Sequence, residues 1–468
     1  MAFSALILAA GAGTRMKSDT PKVAHTLLDK PLVRWVIDCA KDAGATQICV
    51  VLGHQREKVM ALVDDVPIVF QEKRLGTADA AKQARPVLAG KDAPESVIVL
   101  NGDTPLIKPE TLRDLALARE ASGAHACVLT FKAQNPTGYG RIVRDLEGSF
   151  VKIVEEEDAS IAERNIHEVN SGVYCFDTKV LFAALERVGN DNAQGEYYLT
   201  DTLPVIMEAG GRVDIFSTED ESELVGVNNR VMLAEAAAIL RQRINTRHML
   251  EGVTMLDPSS VWIGPDVELE HDVEVLPMTL LMGDTHVGRG TVLGPNTRIN
   301  SCQIGEDCSI DETIAIGSTI GNRVSTGPRA YLRPGTVLKD GVHIGTSVEL
   351  KNSTIGVNSK VPHLSYIGDS QVGREVNIGA GSITCNYDGV NKHPTEIGDH
   401  AFVGSSTMFV APVKVGNDTV TGAGSVITQD VPNGALALER SEQITKEGWS
   451  AEHKKKLIGR TGSFQTVV

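Results

Sequence analysis

The sequence predicts an α/β domain with a parallel sheet, followed by a helical arm and a parallel β-helix of hexapeptide repeats. Three observations support this fold class. Apolar, strand-like segments alternate with helical segments up to about residue 228. Apolar residues then follow helical spacing from Val231 to Ile244, with no proline or glycine between them. From Ile263 to Ile427, an aliphatic residue returns about every six positions and is often followed by glycine.

The first 228 residues show the alternation that is typical of βαβ units. The predicted strands are Ser4–Leu8, Ile48–Leu52, Val97–Leu100 and Val213–Phe216, and the predicted helices are His54–Val63, Gly76–Leu88 and Pro109–Ser122. In such sheets, ligands bind at the carboxyl ends of the strands. Ligand-binding residues are therefore expected immediately after the strands.

A glycine-rich turn follows the first strand, in the segment Leu8-Ala9-Ala10-Gly11-Ala12-Gly13-Thr14-Arg15-Met16. Its backbone N–H groups are suited to surround phosphate oxygens, and Arg15 and Lys22 would add positive charge. Met16 departs from the dinucleotide-binding fingerprint, and Met16-Lys17-Ser18 does not satisfy a P-loop. The turn is placed like both motifs but matches neither, and a strand-to-helix turn without a ligand is the alternative.

Two polar side chains are expected at the same edge of the sheet. Asp103 follows the strand Val97–Leu100, and Asn228 follows Val213–Phe216. A carboxylate and an amide oxygen are suitable ligands for Mg²⁺, which takes few protein ligands and keeps waters and phosphates. A structural turn residue is the alternative for Asp103.

The helical arm is assigned to residues 229–250, between a first domain of residues 1–228 and a second domain of residues 251–468. Arg247 and His248 would lie in its last turn, where positive charge is favourable, and Gly252 is expected to cap its end. No catalytic residue is expected on this arm.

The period of six in the second half fits neither a helix nor a simple two-sided strand. It is typical of short strands joined by tight turns, as in a parallel β-helix. The glycine or asparagine after each aliphatic residue is expected to provide the permissive backbone that each corner needs. The flat sides of such a structure are expected to pack against copies of the same chain, which predicts an oligomer.

Departures from the repeat mark candidate functional positions. His363 and Tyr366 share one repeat, Lys351 lies one coil earlier, and Asn386-Tyr387 lies in a segment where the period fails. A neutral imidazole suits the removal of a proton from an amine nucleophile, and basic side chains suit a phosphate. A purely structural histidine is the alternative reading of His363.

Composition argues against several classes of protein. The 468-residue chain carries a formal net charge of −15, which argues against nucleic acid or a membrane surface as the main partner. No apolar run reaches the roughly 18 residues of a membrane span. The seven cysteines are scattered and form no CxxC motif, which predicts a reducing, cytoplasmic location without a disulfide framework or a zinc site.

Together, the motifs L-x-x-G-x-G-T-R-M, P-K at Pro21-Lys22, and Q-x-x-x-x-G-T at Gln71–Thr77 resemble those of the sugar-phosphate nucleotidyltransferases. With the β-helix, essentially the whole chain resembles the bacterial family of bifunctional N-acetylglucosamine-1-phosphate uridyltransferases and glucosamine-1-phosphate acetyltransferases. Asn101 departs from the aromatic residue or serine that is usual in this family. The resemblance implies a Rossmann-like nucleotidyltransferase domain followed by a left-handed β-helix. It also implies a homotrimer and a role in supplying UDP-N-acetylglucosamine for cell-wall and lipopolysaccharide synthesis.

The resemblance also implies site residues in the first domain, whose substrates would be UTP and N-acetylglucosamine-1-phosphate. The residues expected to hold the uridine nucleotide are Leu8, Ala9, Ala10, Gly11, Gln71, Gly76 and Thr77. Arg15 and Lys22 would neutralise the phosphates and take part in catalysis. The amino sugar would contact Gly140, Glu155 and Asn170, and Mg²⁺ would be bound by Asp103 and Asn228, the latter also contacting substrate.

In the second domain, the implied substrates are glucosamine-1-phosphate and acetyl-CoA, and His363 is the implied general base. The residues expected to bind the sugar phosphate are Arg333, Lys351, Tyr366, Asn377 and Lys392. The residues expected to bind acetyl-CoA are Ala380, Asn386, Tyr387, Ser405, Ala423 and Arg440.

Two other functions share parts of this organisation. One is a nucleotidyltransferase with a single activity, in which the β-helix only assembles or regulates the protein. The other is a non-catalytic subunit of an exchange complex with the same two-part layout. Arg15, Lys22 and Asp103 argue against the second alternative, and His363 with Asn386-Tyr387 argues against the first.

Overall fold

A computed structural model of the chain describes residues 2–11, 13–192 and 194–461. Two compact units are found, one of Met1–Val267 with Leu280–Asp284 and one of Glu268–Thr279 with Thr285–Val468. The α/β fold of the first unit and the left-handed β-helix of the second confirm the predicted fold class. The domain boundaries at residues 228 and 250 remain predictions. In the part of the chain that is described, no helix has the length and apolarity to cross a membrane.

The first unit is built on a nine-stranded sheet. Its strands are Phe3–Ala9, Ala45–Leu52, Ile68–Phe70, Ser96–Asn101, Ala126–Lys132, Arg141–Arg144, Phe150–Val154, Glu168–Asp177 and Val213–Thr218. Phe3–Ala9 is central and pairs in parallel with Ala45–Leu52 and Ser96–Asn101. The sheet is parallel at its centre, as predicted, whereas Arg141–Arg144 and Phe150–Val154 are antiparallel to each other and Glu168–Asp177 runs antiparallel to its neighbours. Its own sequence carries no signal of direction.

Helices cover both faces of this sheet. They are Leu32–Asp42, Arg56–Met60, Thr77–Gln83, Arg85–Leu88, Pro109–Ser122, Ile161–Arg164, Thr178–Leu185, Thr202–Glu208 and Arg230–Leu250. The predicted helix Pro109–Ser122 is confirmed. The predicted helix Gly76–Leu88 is two helices, because Pro86 lacks the N–H group that a continuous helix would need.

The core lies on both sides of the central strand. Phe3, Ala5 and Ile7 of this strand are buried in one cluster, whereas Leu6 packs into the cluster on the opposite face. This alternation follows from the two-residue period of a strand. Burial on both faces explains why the strand is a nearly continuous apolar run.

The helix Arg230–Leu250 packs within the first unit. Arg243 donates hydrogen bonds to the Leu106 carbonyl at 2.6 Å and to Ser222 Oγ at 3.1 Å. The side chain of Asn229 caps the first turn, and Arg247 and His248 occupy the last turn, as predicted. The residue at the helix end is Glu251, and Gly252 follows it with φ = 100°.

The second unit consists of three stacked parallel sheets whose strands are two to four residues long. The strands of the first sheet in this unit are Glu274–Val275, Val292–Leu293, Ser309–Ile310, Ser325–Thr326, His343–Thr346, Lys360–His363, Asn377–Ile378, Phe402–Val403, Val420–Thr421 and Leu436–Ala437. Those of the second are Arg298–Asn300, Ile314–Ile316, Tyr331–Leu332, Glu349–Lys351, Tyr366–Gly368, Ile383–Cys385, Met408–Val410 and Val426–Ile427. Those of the third are Glu268–Leu269, His286–Val287, Gln303–Ile304, Thr319–Ile320, Val337–Leu338, Thr354–Ile355, Ser370–Val372, Thr395–Ile397 and Val413–Val415. A helix, Trp449–Thr461, lies near the end of the described chain.

Most of the repeating glycines have a different role from the one that the sequence suggested. Gly294 and Gly317 have positive φ, as predicted, but Gly288 and Gly305 do not, and there the left-handed conformation at the corners falls on residues such as Asp307 and Asn358. A Cβ atom at Gly288 would lie 2.7 Å from the carbonyl carbon of Gly305 on the next coil. These glycines are needed because successive coils approach closely, not because the corner requires their backbone freedom.

The substitution Gly345→Ala tests this close approach. Its Cβ would lie 1.8 Å from the Pro362 carbonyl oxygen, which is backbone and cannot move aside easily. We expect the free energy of unfolding of the second unit to fall by about 3 kcal/mol or more, which corresponds to a decrease in Tm of about 6 °C. Scanning calorimetry would measure this change.

The matched control is Gly327→Ala on the preceding coil, where the new Cβ would lie 3.3 Å from its nearest atom. A much smaller decrease in Tm is expected for this variant. Equal decreases for the two variants would contradict the stacking explanation.

Candidate active sites

The glycine-rich turn lies at the carboxyl end of the central strand, as predicted. Gly13 has the left-handed conformation, with φ = 61°, and a Cβ there would lie 2.5 Å from Lys22 Cβ. Glycine at this position therefore allows Lys22 to lie against the turn. The end of the neighbouring strand, Ser96–Asn101, is held against the central strand, because the Gly102 N–H group donates to the Leu8 carbonyl at 2.9 Å.

Two cations and two oxygen ligands meet beside this turn. Lys22 Nζ contacts Asp103 Oδ2 and donates to Asn228 Oδ1 at 3.1 Å. Arg15 also donates to Asn228 Oδ1, at 2.8 Å. The Val227 N–H group donates to the Asp103 carbonyl at 2.8 Å, which ties together the two loops that carry these residues. Because both oxygens already surround one positively charged atom, the pair is suited to bind a divalent cation.

Gln71 lies in the cleft that opens beside the turn. Its side-chain Nε2 donates to the Gly76 carbonyl at 2.9 Å and to Asp79 Oδ2 at 2.8 Å, so its amide is held in one orientation. Gly76 has φ = 111°, and a Cβ there would collide with the Tyr197 backbone. The residues lining this cleft are Leu8, Ala9, Ala10, Gly11, Lys22, Val23, Gln71, Arg74, Gly76, Thr77, Ala80, Asn101, Asp103 and Glu196.

A second cavity adjoins this cleft, because Leu8, Thr77 and Asn101 line both. It contains Glu155 and Asn170, two of the residues expected at the sugar. Burial raises the pKa of the Glu155 carboxyl, and the nearby Asp201 and Asp158 raise it further.

Gly140 lies directly behind two lining residues of the second cavity, Glu155 and Asn170. Its carbonyl accepts a hydrogen bond from the Asn170 N–H group at 2.8 Å. A Cβ at Gly140 would lie 2.9 Å from Ile153 and 3.3 Å from the Glu155 carboxylate. The structure therefore brings the three expected sugar ligands of the first domain together.

In the second unit, one column of corners carries His363 and four of the expected acetyl-CoA residues. Hydrogen bonds along this column link each coil to the next. Gly381 N donates to His363 O at 3.2 Å, and Ser406 N donates to Ala380 O at 2.7 Å. Gly424 N donates to Ser405 O at 2.8 Å, and the Arg440 side chain donates to Ala423 O at 3.2 Å. His363 is exposed, while its carbonyl is anchored by this column and by Ser365 Oγ. These contacts fix the main chain and leave the imidazole accessible to a substrate.

A second cluster lies at the other end of the neighbouring strand, Tyr366–Gly368, and is centred on Asp369. Lys351 Nζ lies 3.5 Å from Asp369 Oδ2, and Asn386 donates to the same oxygen. Asn352 donates to Asp369 Oδ1 at 2.8 Å. Burial alone would raise the pKa of Asp369, but the two amide donors and the Lys351 ammonium lower it. The ammonium of Lys351 also lowers the pKa of Lys392.

Tyr366 and Asn386 share the space above Gly368. A Cβ at Gly368 would lie 2.4 Å from the Tyr366 hydroxyl and 2.8 Å from Asn386 Nδ2. Arg333 lies two coils before Tyr366 and donates to Glu349 at 2.9 Å. The three-residue strand between His363 and Asp369 spans about 10 Å, which is the size of a sugar phosphate.

The loop of residues 386–394 leaves the regular coil next to this cluster. The Asn391 and Val390 N–H groups donate to Asp388 Oδ1 at 2.7 and 2.8 Å, and the Asn391 N–H group and His393 lower the pKa of Asp388 to about 2. Tyr387 is 60% exposed. The loop is therefore ordered by its own contacts, while the ring of Tyr387 faces solvent.

Comparisons with known proteins agree with both halves of this description. Residues 5–199 match the model of the MobA-like NTP transferase domain, and residues 394–429 match that of the bacterial transferase hexapeptide. The bifunctional protein GlmU of Syntrophomonas wolfei is 47% identical over 445 residues, covering 95% of this chain and 98% of the relative. The bifunctional protein GlmU of Carboxydothermus hydrogenoformans is 49% identical, covering 95% of this chain and 99% of the relative.

The chain belongs to the GlmU family. A further relative, from Caldanaerobacter subterraneus, is 48% identical over 452 residues. Because the match covers nearly the full length, it includes both the glycine-rich turn and the β-helix. The resemblance found in the sequence is confirmed.

The structure of this GlmU-family chain groups most of the predicted site residues. Arg15, Lys22, Asp103 and Asn228 meet at one point, and Gly140, Glu155 and Asn170 meet at another. Asn377 is an exception, because it pairs with Lys360 on the neighbouring sheet and lies outside the Asp369 cluster. The separation of this residue follows from its strand, which faces a different side of the β-helix.

Several residues that hold these clusters together were not identified from the GlmU-family sequence. Asp369 joins Lys351 to Asn386, and Glu349 pairs with Arg333. Acidic residues occur at many corners of the β-helix, for example Asp307 and Asp418. An acidic residue in the repeat therefore does not by itself indicate a position in a functional site. Their importance becomes visible only when neighbouring coils are stacked.

Proposed function

We propose that this chain catalyses two consecutive reactions of UDP-N-acetylglucosamine synthesis. The second unit acetylates glucosamine-1-phosphate with acetyl-CoA, and the first unit transfers UMP from UTP to N-acetylglucosamine-1-phosphate. The observation that carries the proposal is the nearly full-length similarity to proteins named bifunctional, together with a separate polar site in each unit. Such a product would serve cell-wall and lipopolysaccharide synthesis.

Acetyl transfer needs a base and a binding site for a phosphate. The amine nitrogen of the sugar attacks the thioester carbon, the imidazole of His363 accepts the N–H proton, and the coenzyme leaves as a thiolate. Arg333, Lys351 and Lys392 would bind the phosphate. A bound phosphate would favour the charged form of Lys392. The nearby ammonium of Lys351 lowers the pKa of Lys392, and a phosphate dianion would raise that pKa.

The column of corners would bind acetyl-CoA. Ala380, Ser405 and Ala423 repeat along it with the spacing of one coil, and Arg440 lies at its end. A linear cofactor could lie along such a column with its thioester next to His363. Asn386 and Tyr387 would line the space between the thioester and the sugar.

Uridylyl transfer requires positioning and charge neutralisation, not a protein nucleophile. An oxygen of the sugar phosphate attacks the α-phosphorus of UTP, and pyrophosphate leaves. Arg15 and Lys22 would bind the phosphates beside the glycine-rich turn. Since Gln71 uses its amide nitrogen for Gly76 and Asp79, its carbonyl oxygen is suited to accept from the imino group of uracil.

Mg²⁺ fits the oxygen pair of Asp103 and Asn228. Their oxygens converge on one ammonium group, and the remaining ligands would come from water and phosphate. When bound, the metal would supply positive charge to shield the phosphates. The chain itself is acidic, so its phosphate-binding groups must act locally.

Homotrimeric assembly and a cytoplasmic location are further parts of the proposal. The hexapeptide repeats support an oligomer, and the seven free cysteines, six of them buried, support a reducing compartment. Light scattering of the full chain should give three times the chain mass of 50.0 kDa. A monomeric mass would contradict the trimer.

A coupled assay tests the proposed function as a whole. The chain would receive glucosamine-1-phosphate, acetyl-CoA and UTP, with Mg²⁺, and the products would be separated by chromatography. Formation of UDP-N-acetylglucosamine, free coenzyme A and pyrophosphate is expected. Uridylyl transfer to N-acetylglucosamine-1-phosphate without acetyl transfer would support the alternative of a single activity.

A further inference from the structure

A buried ion pair lies next to the sugar end of the first unit. Arg141 is only 2% exposed, and its guanidinium donates to Glu156 Oε2 at 2.6 Å and to the Tyr139 carbonyl. The Gly138 N–H group donates to the same Glu156 oxygen at 3.2 Å. Glu156 therefore holds both the buried guanidinium and the turn that precedes it.

The sequence positions of this pair connect it to the sugar ligands. Arg141 directly follows Gly140, and Glu156 directly follows Glu155. The strands Arg141–Arg144 and Phe150–Val154 are antiparallel, and Arg141 is opposite Val154. The ion pair thus joins the open ends of the two strands, and Glu156 lines the sugar cavity together with Glu155.

We propose that the Arg141–Glu156 ion pair is a positioning device that sets the affinity of the first unit for the sugar phosphate. By joining the two strand ends, it holds Gly140 against Glu155 at the spacing that the sugar requires. Glu156 lines the cavity and Arg141 lies behind it, and neither member of the pair is assigned a contact with the reacting atoms. The inference rests on the proposed uridylyl transfer and extends it to two residues without an assigned role.

The charge of Glu156 has a second consequence for the sugar cavity. Arg141 is too deeply buried to remain unpaired, because an uncompensated buried charge is strongly unfavourable. With Glu156 present, the guanidinium is neutralised by that carboxylate, and Glu155 is left to accept hydrogen bonds from sugar hydroxyl groups. The raised pKa of Glu155 agrees with this division, since burial and two acidic neighbours are its causes.

The test is Glu156→Gln in the full-length chain, with uridylyl transfer measured while each substrate is varied in turn. Glutamine keeps the size of the side chain and an oxygen that can accept from Arg141 and Gly138, but it removes the charge that compensates the buried guanidinium, so circular dichroism is used to verify the fold of the variant. The KM for N-acetylglucosamine-1-phosphate should rise roughly tenfold, while the KM for UTP should change by less than about twofold. Calorimetric titration with N-acetylglucosamine-1-phosphate alone should show a similar loss of affinity. Acetyl transfer by the second unit should be unchanged.

The matched control is Glu168→Gln. Glu168 pairs with Arg144 at 2.7 Å, and Arg144 lies three residues from Arg141 on the same strand. Glu168 does not line the sugar cavity. Both KM values should stay close to wild type in this control. Glu156→Asp, which retains the charge, should recover part of the affinity lost in Glu156→Gln.

Unchanged sugar affinity in Glu156→Gln would overturn the proposal. An equal rise of both KM values, with no recovery in Glu156→Asp, would also overturn it, because this result would indicate a general structural role. A wild-type chain without uridylyl transfer would instead contradict the proposed function. In that case, the titration with the sugar phosphate alone would still decide whether the ion pair controls its binding.

Discussion

Replacing His363 with alanine should lower acetyl transfer by roughly 10²-fold or more, because the amine would lose its general base. His363 is exposed, and its main chain is anchored through its carbonyl, so the substitution should leave the coil intact. Initial rates of coenzyme A release would measure the effect. Uridylyl transfer by the same preparation should be unchanged and serves as an internal control.

His400→Ala provides a matched control for this variant. His400 lies at a different corner of the same β-helix and contacts Glu375 at 3.3 Å. Acetyl transfer by this control should remain close to wild type. If His363→Ala also acetylates at nearly the wild-type rate, the assignment of the base is wrong.

Asp103→Ala should lower uridylyl transfer by roughly 10²-fold or more at millimolar Mg²⁺, because a carboxylate oxygen of the metal pair is lost. The substitution also removes the carboxylate that contacts Lys22 and thereby frees this ammonium to move. Formation of UDP-N-acetylglucosamine should be measured against Mg²⁺ concentration for both proteins. Acetyl transfer should remain close to wild type, because the Asp369 cluster lies in the other unit.

Asp114→Ala is the control for removing one acidic residue from the first unit. Asp114 is exposed on the helix Pro109–Ser122, and its loss should not change the dependence on Mg²⁺. The metal assignment would be refuted if Asp103→Ala matched wild type at low Mg²⁺. Full wild-type activity in the presence of a chelator would refute it equally.

The sequence predicted the two-part fold well, because each half has a strong period of its own. The position of Asp103 after the strand Val97–Leu100 and that of Lys22 just downstream of the glycine-rich turn also identified these two residues as candidates. These predictions depended on local patterns and on one general rule about the carboxyl edge of a sheet. The grouping of Arg15 with Asn228, which are far apart in the chain, needed the family resemblance as well.

What the sequence did not predict concerns contacts between segments. The antiparallel direction of Glu168–Asp177 depends on how the chain returns to the sheet, and an apolar run does not encode that direction. The role of the repeating glycines depends on the distance between coils, which a single repeat cannot show. Asp369 and Glu156 were overlooked because an acidic residue becomes informative only when its partner is known.

Because its coils stack closely, the second unit tolerates insertions and deletions poorly. One residue inserted within a strand would turn inward-facing side chains outward on every later coil, and it would break the alignment of Ala423 and Arg440 with His363. A change in length therefore disturbs least when it adds a whole coil outside the stretch from Arg333 to Arg440, because the loop of residues 386–394 carries Asn386, Tyr387 and Lys392 of the proposed acetyl-transfer site.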